Sequence, residues 1–266
     1  MLKMLVFTLL AGCVTGQNYI EPAGPRYGGG QPVSSAPARL RGDTLYVVSY
    51  NIKFSIAIDS AIAAFRIEPE MRNADIVLLQ EMDEDGTRRI AEALRMPYVY
   101  YPAQLRKNTG KDWGNAVLSR WPILTDSKLV LPNRAGLGRT LRTATATTLL
   151  IGSDTVRVYS THLGTIMNVT PSGRREQLEA ILEDARRFDN VIIGGDMNSE
   201  TVGEYAGQQS FVWPTRNIPR SNPGGHLDHF FLKGFVLPES AAGTVLDNHH
   251  SSDHKPIWVK ALLHVR

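Results

Sequence analysis

The chain has 266 residues, 42% of them hydrophobic and 21% charged, a balance that suits one large globular core and excludes a low-complexity or fully disordered protein. Its 29 basic residues against 26 acidic ones leave a formal charge of +3, too small an excess to mark a nucleic-acid surface by charge alone. The single cysteine rules out an intramolecular disulfide.

Met1-Leu2-Lys3-Met4 leads into an apolar run, Leu5 to Leu10, that is too short to span a bilayer and has the pattern of a signal peptide. The run ends in Leu10-Ala11-Gly12-Cys13, which resembles the bacterial lipobox, where cleavage before the cysteine leaves its thiol to carry a lipid. Residues 1–13 are therefore expected to be a lipoprotein signal peptide with Cys13 as the lipidation site. This places the chain outside the cytoplasm, lipid-anchored to a bacterial membrane, with the outer membrane or cell surface favoured. Residues 14–41, rich in Gly, Pro, Ser and Ala, read as a flexible tether, and residues 42–266 as one folded domain.

Within that domain, Leu45 to Tyr50 and Ile76 to Leu79 read as buried strands, with helical spacing over Asp59 to Met71 and Glu84 to Leu94. The middle of the chain is β-rich, in Ala116–Ser119, Lys128–Leu131, Thr143–Ile151 and Thr155–Ser160, with Gly152-Ser153-Asp154 as a tight hairpin turn. Ser172 to Phe188 has an apolar stripe beside a charged face, as a surface helix requires, and strands follow at Asn190–Gly194, His226–Leu232 and Pro256–Leu263. Many strands with few helices predict an α+β protein, two packed sheets flanked by helices.

Polar residues gather at the ends of these strands. Asn51, Glu81 and His162 each end one, Asp196 and Asn198 follow another, Asp228 sits in a fifth, and Asp253 and His254 precede the last. Groups at one end of several core strands converge in space. The runs Ser49-Tyr50-Asn51-Ile52-Lys53, Leu79-Gln80-Glu81, Ser160-Thr161-His162-Leu163, Gly194-Gly195-Asp196-Met197-Asn198, Leu227-Asp228-His229-Phe230 and Ser252-Asp253-His254-Lys255-Pro256 resemble, in order, the motifs of the endonuclease/exonuclease/phosphatase superfamily, the deoxyribonuclease-I-like fold. The resemblance runs from Leu45 to the C-terminus and implies a four-layered α/β sandwich with two mixed β-sheets. It also implies divalent-metal-dependent hydrolysis of a phosphoester.

Phosphoester hydrolysis needs charge neutralised on the phosphate oxygens, a positioned water and a stabilised leaving oxygen. Carboxylate and amide oxygens suit Mg²⁺ or Mn²⁺, and a site without cysteine does not suit structural zinc. By the resemblance, Glu81, Asn51 and Asp253 are metal ligands, and His254 faces the scissile phosphate, oriented by Asp228. Asp196 and Asn198 position water, and His162 donates to a phosphate oxygen. Asn115 and Arg139 are candidate substrate contacts, with Arg142 a further possible phosphate donor.

The fold does not choose the phosphoester. Residues 98–114 interleave Tyr100, Tyr101 and Trp113 with Arg106, Lys107 and Lys111, a mixture suited to stacked bases or a lipid interface, and Phe211 with Trp213 form a second candidate rim. A phosphodiesterase acting on lipid, small-molecule or nucleic-acid phosphodiesters is the leading expectation. An extracytoplasmic endonuclease acting on DNA or RNA is the alternative, and an inactive surface-binding lipoprotein the rival from another class. The expected partners are the phosphoester substrate and, through the anchor, a membrane; the protein is expected to be a monomer.

Overall fold

Alternation along the buried strands decides the layering. The computed structural model describes residues 16–30, 44–134 and 140–263. In β3 (Thr44–Asn51) and β4 (Ile76–Met82), Val48, Tyr50, Val77 and Leu79 point one way, into a core shared with helices α1 (Ile58–Ile67) and α3 (Glu84–Leu94). Leu45, Val47, Ile76 and Leu78 point the other way, into a core shared with the second sheet. A period of two on strands buried on both faces thus yields two cores from one strand. The second sheet repeats this: Ile192 of β10 (Asn190–Asp196) joins the central core, while Val191 and Ile193 pack with Leu178, Ile181 and Leu182 of α4 (Pro171–Ala185).

The first sheet comprises β1 (Gly16–Asn18), β2 (Tyr27–Gly29), β3, β4, β5 (Tyr98–Arg106), β6 (Lys111–Ser119), β12 (Phe235–Val236), β13 (Ala242–Thr244) and β14 (Ile257–Leu263). Its main order is β1-β5-β6-β4-β3-β14-β12. The second runs β11-β10-β9-β8-β7, with β7 (Ile123–Val130), β8 (Thr143–Ile151), β9 (Asp154–His162) and β11 (Asp228–Lys233). Each sheet is mixed, since β3 and β4 pair parallel across the α1 crossover, as do β9 and β10 across α4. Two mixed sheets with helices outside them are the expected four-layered sandwich.

Local chemistry sets the helix starts. Asp83 caps α3 by accepting from Gly86 N at 2.7 Å, and Thr170 caps α4 by accepting from Gly173 N at 3.1 Å, with Pro171 at the first helical position. The helix expected over 59–71 is split: Glu68 is extended before Pro69, and the chain restarts as α2 (Pro69–Arg72). Short helix α5 (Val202–Gln208) lies beside α4.

The expected flexible tether is corrected in its described part. Residues 16–30 lie along the edge of the first sheet, with β1 and β2 both pairing with β5. Lys128 Nζ donates to the carbonyls of Tyr19 at 3.0 Å and Gly24 at 2.5 Å, and Arg26 makes two 2.7 Å bonds to Asp126. Cys13 and Arg139 lie outside the described residues.

Candidate active site

The chain ends of β3, β4, β9 and β10 come together at one end of the sandwich, joined by the loops that precede β11 and β14. Two devices aim the side chains. Between Leu79 and Met82 the pairing of β4 with β6 shifts register, and Glu81 takes a left-handed conformation, φ 60°, inside this irregularity. The kink turns its carboxylate toward Asn51 rather than into the alternating pattern. Before Asp196, Gly195 has φ 148°, and a Cβ there would overlap the carbonyl oxygen of Thr161. Only glycine lets β10 approach β9 closely enough to bring Asp196 beside His162.

The resulting cluster is dense and buried. Asn51 Nδ2 donates to Asp196 Oδ2 at 3.1 Å and lies 3.5 Å from Glu81 Oε1, whose partner oxygen accepts from Phe54 N at 3.2 Å. Asp196 Oδ1 accepts from Asn198 N at 2.9 Å, so Asn198, at φ 46°, holds the carboxylate through its backbone. His254 Nδ1 donates to Asp228 Oδ2 at 2.8 Å, and that oxygen also accepts from Ser221 Oγ at 2.5 Å. The other nitrogen of His254 points at Asp196, 3.7 Å from Oδ2. Neither ring nitrogen of His162 makes a hydrogen bond; they lie 3.7 Å from Glu81 Oε1 and 3.4 Å from Asp196 Oδ2.

The electrostatics follow from burial. Desolvation raises the carboxyls of Glu81 and Asp196, the latter further raised by Asp228. Burial works against the charged form of His254, but the charge and hydrogen bond of Asp228, with help from Asp196, overcome it and lift the imidazole to about 10. Burial, with Arg142 and His254 nearby, drives His162 well below its usual value, so it is neutral.

Arg142 is the residue whose importance the sequence understated. It is buried against the Trp113 ring, 4.7 Å from guanidinium carbon to ring centroid, and two of its nitrogens, Nε and Nη1, have no hydrogen-bond partner. Burial lowers it to about 10, with Glu81 and Asp196 acting in its favour. Trp113 also packs on His162, ring centroids 5.3 Å apart. The site therefore interleaves the carboxylates of Glu81, Asp196 and Asp228 with the donor groups of Arg142 and His162. The basic residue at the head of a strand, in Arg139-Thr140-Leu141-Arg142, was its only sequence signal.

Three expectations change. Asp253, expected as a metal ligand, is 49% exposed and pairs with Lys53 at 3.3 Å, at the solvent edge of the cluster, where its charge still acts on Glu81 and His254. Asn115 is buried near the site, but its Nδ2 donates to Thr143 O at 2.7 Å and serves to tie β6 to β8. Phe211 is core and Trp213 is partly buried, its indole N–H donating to His229 Nδ1 at 3.1 Å, so this pair is packing rather than rim.

The residues fit a divalent cation. Buried carboxylates pushed toward protonation gain most from a neighbouring cation, and the Glu81 and Asn51 oxygens are the hard donors such an ion takes. Asp196, Asp228 and His254 also bring ligand atoms within 4.8 Å of one another. Of these, Asp228 and His254 Nδ1 already satisfy each other, which favours Glu81 with Asn51 as the core of a metal site and leaves the dyad intact.

A model of the endonuclease/exonuclease/phosphatase family matches residues 48–254. The chain belongs to this family. Members act on phosphoester bonds, generally with a divalent metal. A search of curated protein sequences finds no match. Among solved structures, an endonuclease/exonuclease/phosphatase from Beutenbergia cavernae superposes with a TM-score of 0.66 at 20% identity, covering 83% of this chain and 72% of that one. One from Bacteroides vulgatus gives 0.69 at 13% identity, covering 83% and 99%. Sphingomyelinase C from Streptomyces griseocarneus gives 0.58 at 16%, covering 82% and 99%. At these identities the likeness is one of fold.

Proposed function

We propose that the protein is a divalent-metal-dependent phosphodiesterase, held outside the cytoplasm by a lipid on Cys13. The observation that carries the catalytic part is the gathering of a charged imidazole, His254 held by Asp228, and two unpartnered donor groups, Arg142 and His162, beside the carboxylates of Glu81 and Asp196. Such a site leaves donors without an acceptor and carboxylates without a cation. A phosphodiester bound with a cation supplies both.

A cation held by Glu81 and Asn51 would neutralise the phosphate and the developing charge on the leaving oxygen. The protonated Nε2 of His254 donates to a non-bridging oxygen, and Asp228 keeps the ring charged and oriented. Arg142 offers Nε and Nη1 to the same phosphate, a planar pair of donors already desolvated. His162, neutral, adds a further donor. Asp196, raised by burial and fixed by Asn198 N, accepts the proton of the attacking water. The site chemistry serves a phosphodiester in general; the leaving group is read outside it.

The experiment is turnover of a substrate panel by the full chain with Mg²⁺, Mn²⁺ or chelator. The panel holds plasmid DNA, RNA, bis-p-nitrophenyl phosphate, sphingomyelin and inositol phosphates. Metal-dependent turnover of the lipid or small-molecule diesters, lost in His254→Ala, supports this reading. Turnover of nucleic acid alone favours the endonuclease, and metal-independent binding without turnover favours an inactive binding module.

A further inference from the structure

The structured strap gives the anchored chain a fixed exit, and that exit lies at the mouth of the site. In β1, Gly16 pairs with Arg106, the last residue of β5, so their Cα atoms stand about 5 Å apart across the ladder. From Gly16 back to Cys13 is three residues, which span at most about 11 Å when fully extended. A lipid on Cys13 is therefore confined close to the β5–β6 turn. Downstream, the strap is tied to the domain at several points. Asn18 Oδ1 accepts from Leu141 N at 3.0 Å, Tyr19 Oη donates to Asp112 Oδ1 at 2.9 Å, and the Lys128 and Arg26 contacts fasten the rest.

What surrounds that exit is suited to a bilayer surface. The turn carries Arg106, the exposed Lys107 and Lys111, with Lys111 bonded to Asp83 at 2.7 Å. The Arg106 guanidinium lies 4.0 Å from the centroid of the Phe54 ring, and Phe54 is 40% exposed with Ile56 beside it at 67%. Phe54 is the residue whose N–H holds Glu81. Basic groups and exposed apolar side chains thus share the rim next to the site, a mixture that partitions to the interface of an anionic bilayer.

We infer that the β5–β6 turn, with Phe54 and Ile56, docks on an anionic phospholipid surface, so that the active site opens toward the membrane that holds the anchor. This rests on the lipid anchor proposed above and adds an orientation to it. It makes diesters at or near the bilayer the substrates with easiest access. The same basic turn on a freely tethered domain would suit nucleic acid equally; the short leash is what selects the bilayer.

The test uses the full lipidated chain in vesicles of phosphatidylethanolamine with phosphatidylglycerol. A single fluorophore is placed at Asn108→Cys, in the turn, or at Ser153→Cys, in the β8–β9 turn at the opposite end of the sandwich. Because Cys13 is the only native cysteine and its thiol carries the lipid, each variant has one free thiol. Energy transfer to a headgroup-labelled lipid is expected to be several-fold greater from Asn108→Cys than from Ser153→Cys. The difference should shrink in phosphatidylcholine vesicles and on adding Arg106→Gln with Lys107→Gln. Equal transfer from both sites, with the lipid on Cys13 shown by mass spectrometry, overturns the inference and leaves the anchor standing. Absence of the lipid overturns both. Protection of the Asn108→Cys label by a single-stranded oligonucleotide, with no transfer from vesicles, assigns the turn to nucleic acid instead.

Discussion

His254 Nδ1 lies 2.8 Å from Asp228 Oδ2, and the two residues are 26 positions apart in sequence. Asp228 opens β11 and His254 sits in the turn before β14, so the dyad joins the two sheets at the open end of the sandwich. Ser221 and Ser252 fix its two halves, Ser221 by donating to Asp228 and Ser252 by accepting from His254 N at 3.1 Å.

The dyad sets the charge of the imidazole. In metal-free protein, His254 should titrate near 10, and Asp228→Asn should lower it markedly, because burial is then opposed only by the charges of Asp196 and Asp253. NMR titration of the ring protons with chelator present measures this. The variant should also lose about 10²- to 10⁴-fold in turnover.

Arg142 offers a sharper distinction between charge and shape. Arg142→Lys keeps a cation but loses the planar donor pair, and turnover should fall by about 100-fold. Steady-state kinetics on a small diester decide it; an unchanged kcat would remove Arg142 from the phosphate.

The buried carboxylates predict ligand-linked stability. Mg²⁺ at 100 times its Kd should stabilise the fold by about 2.7 kcal/mol, seen as a rise in Tm. Glu81→Gln should flatten that response while leaving the metal-free protein folded.

Much of this site was legible from residue types at strand ends, since Asn51, Glu81, His162, Asp196, Asn198, Asp228 and His254 all reach the cluster. The less legible parts depend on contacts distant in sequence. The 16–30 strap has linker composition, and its order comes from Lys128, Asp126 and Leu141, 100 to 123 residues away from the strap residues they hold. Asp253 sits at the exposed edge of the cluster, where Lys53 pairs with its carboxylate, a contact that its place in the motif does not reveal. The left-handed backbone at Glu81 leaves no mark in the residue itself.

His229 supplies a stability test outside the catalytic groups. Its Nδ1 accepts from Trp213, so Nε2 carries the proton and donates to Ser199 O at 3.0 Å, just after the Asn198 turn. Burial lowers it to about 4. The unfolded chain takes up a proton near 6.5 while the native ring stays neutral, so its stabilisation is present above pH 6.5 and lost as pH falls toward 4. Urea melts should show wild type losing on the order of 3 kcal/mol more than His229→Gln over that window.

Hydrolysis of bis-p-nitrophenyl phosphate with saturating Mg²⁺, comparing wild type with Glu81→Gln and His254→Ala, tests metal-dependent phosphodiester cleavage at this site. Wild type should turn the diester over, chelator should abolish that turnover, and each variant should reduce it by about 100-fold or more. Turnover that persists in chelator, or that survives either substitution at wild-type rate, would contradict this reading.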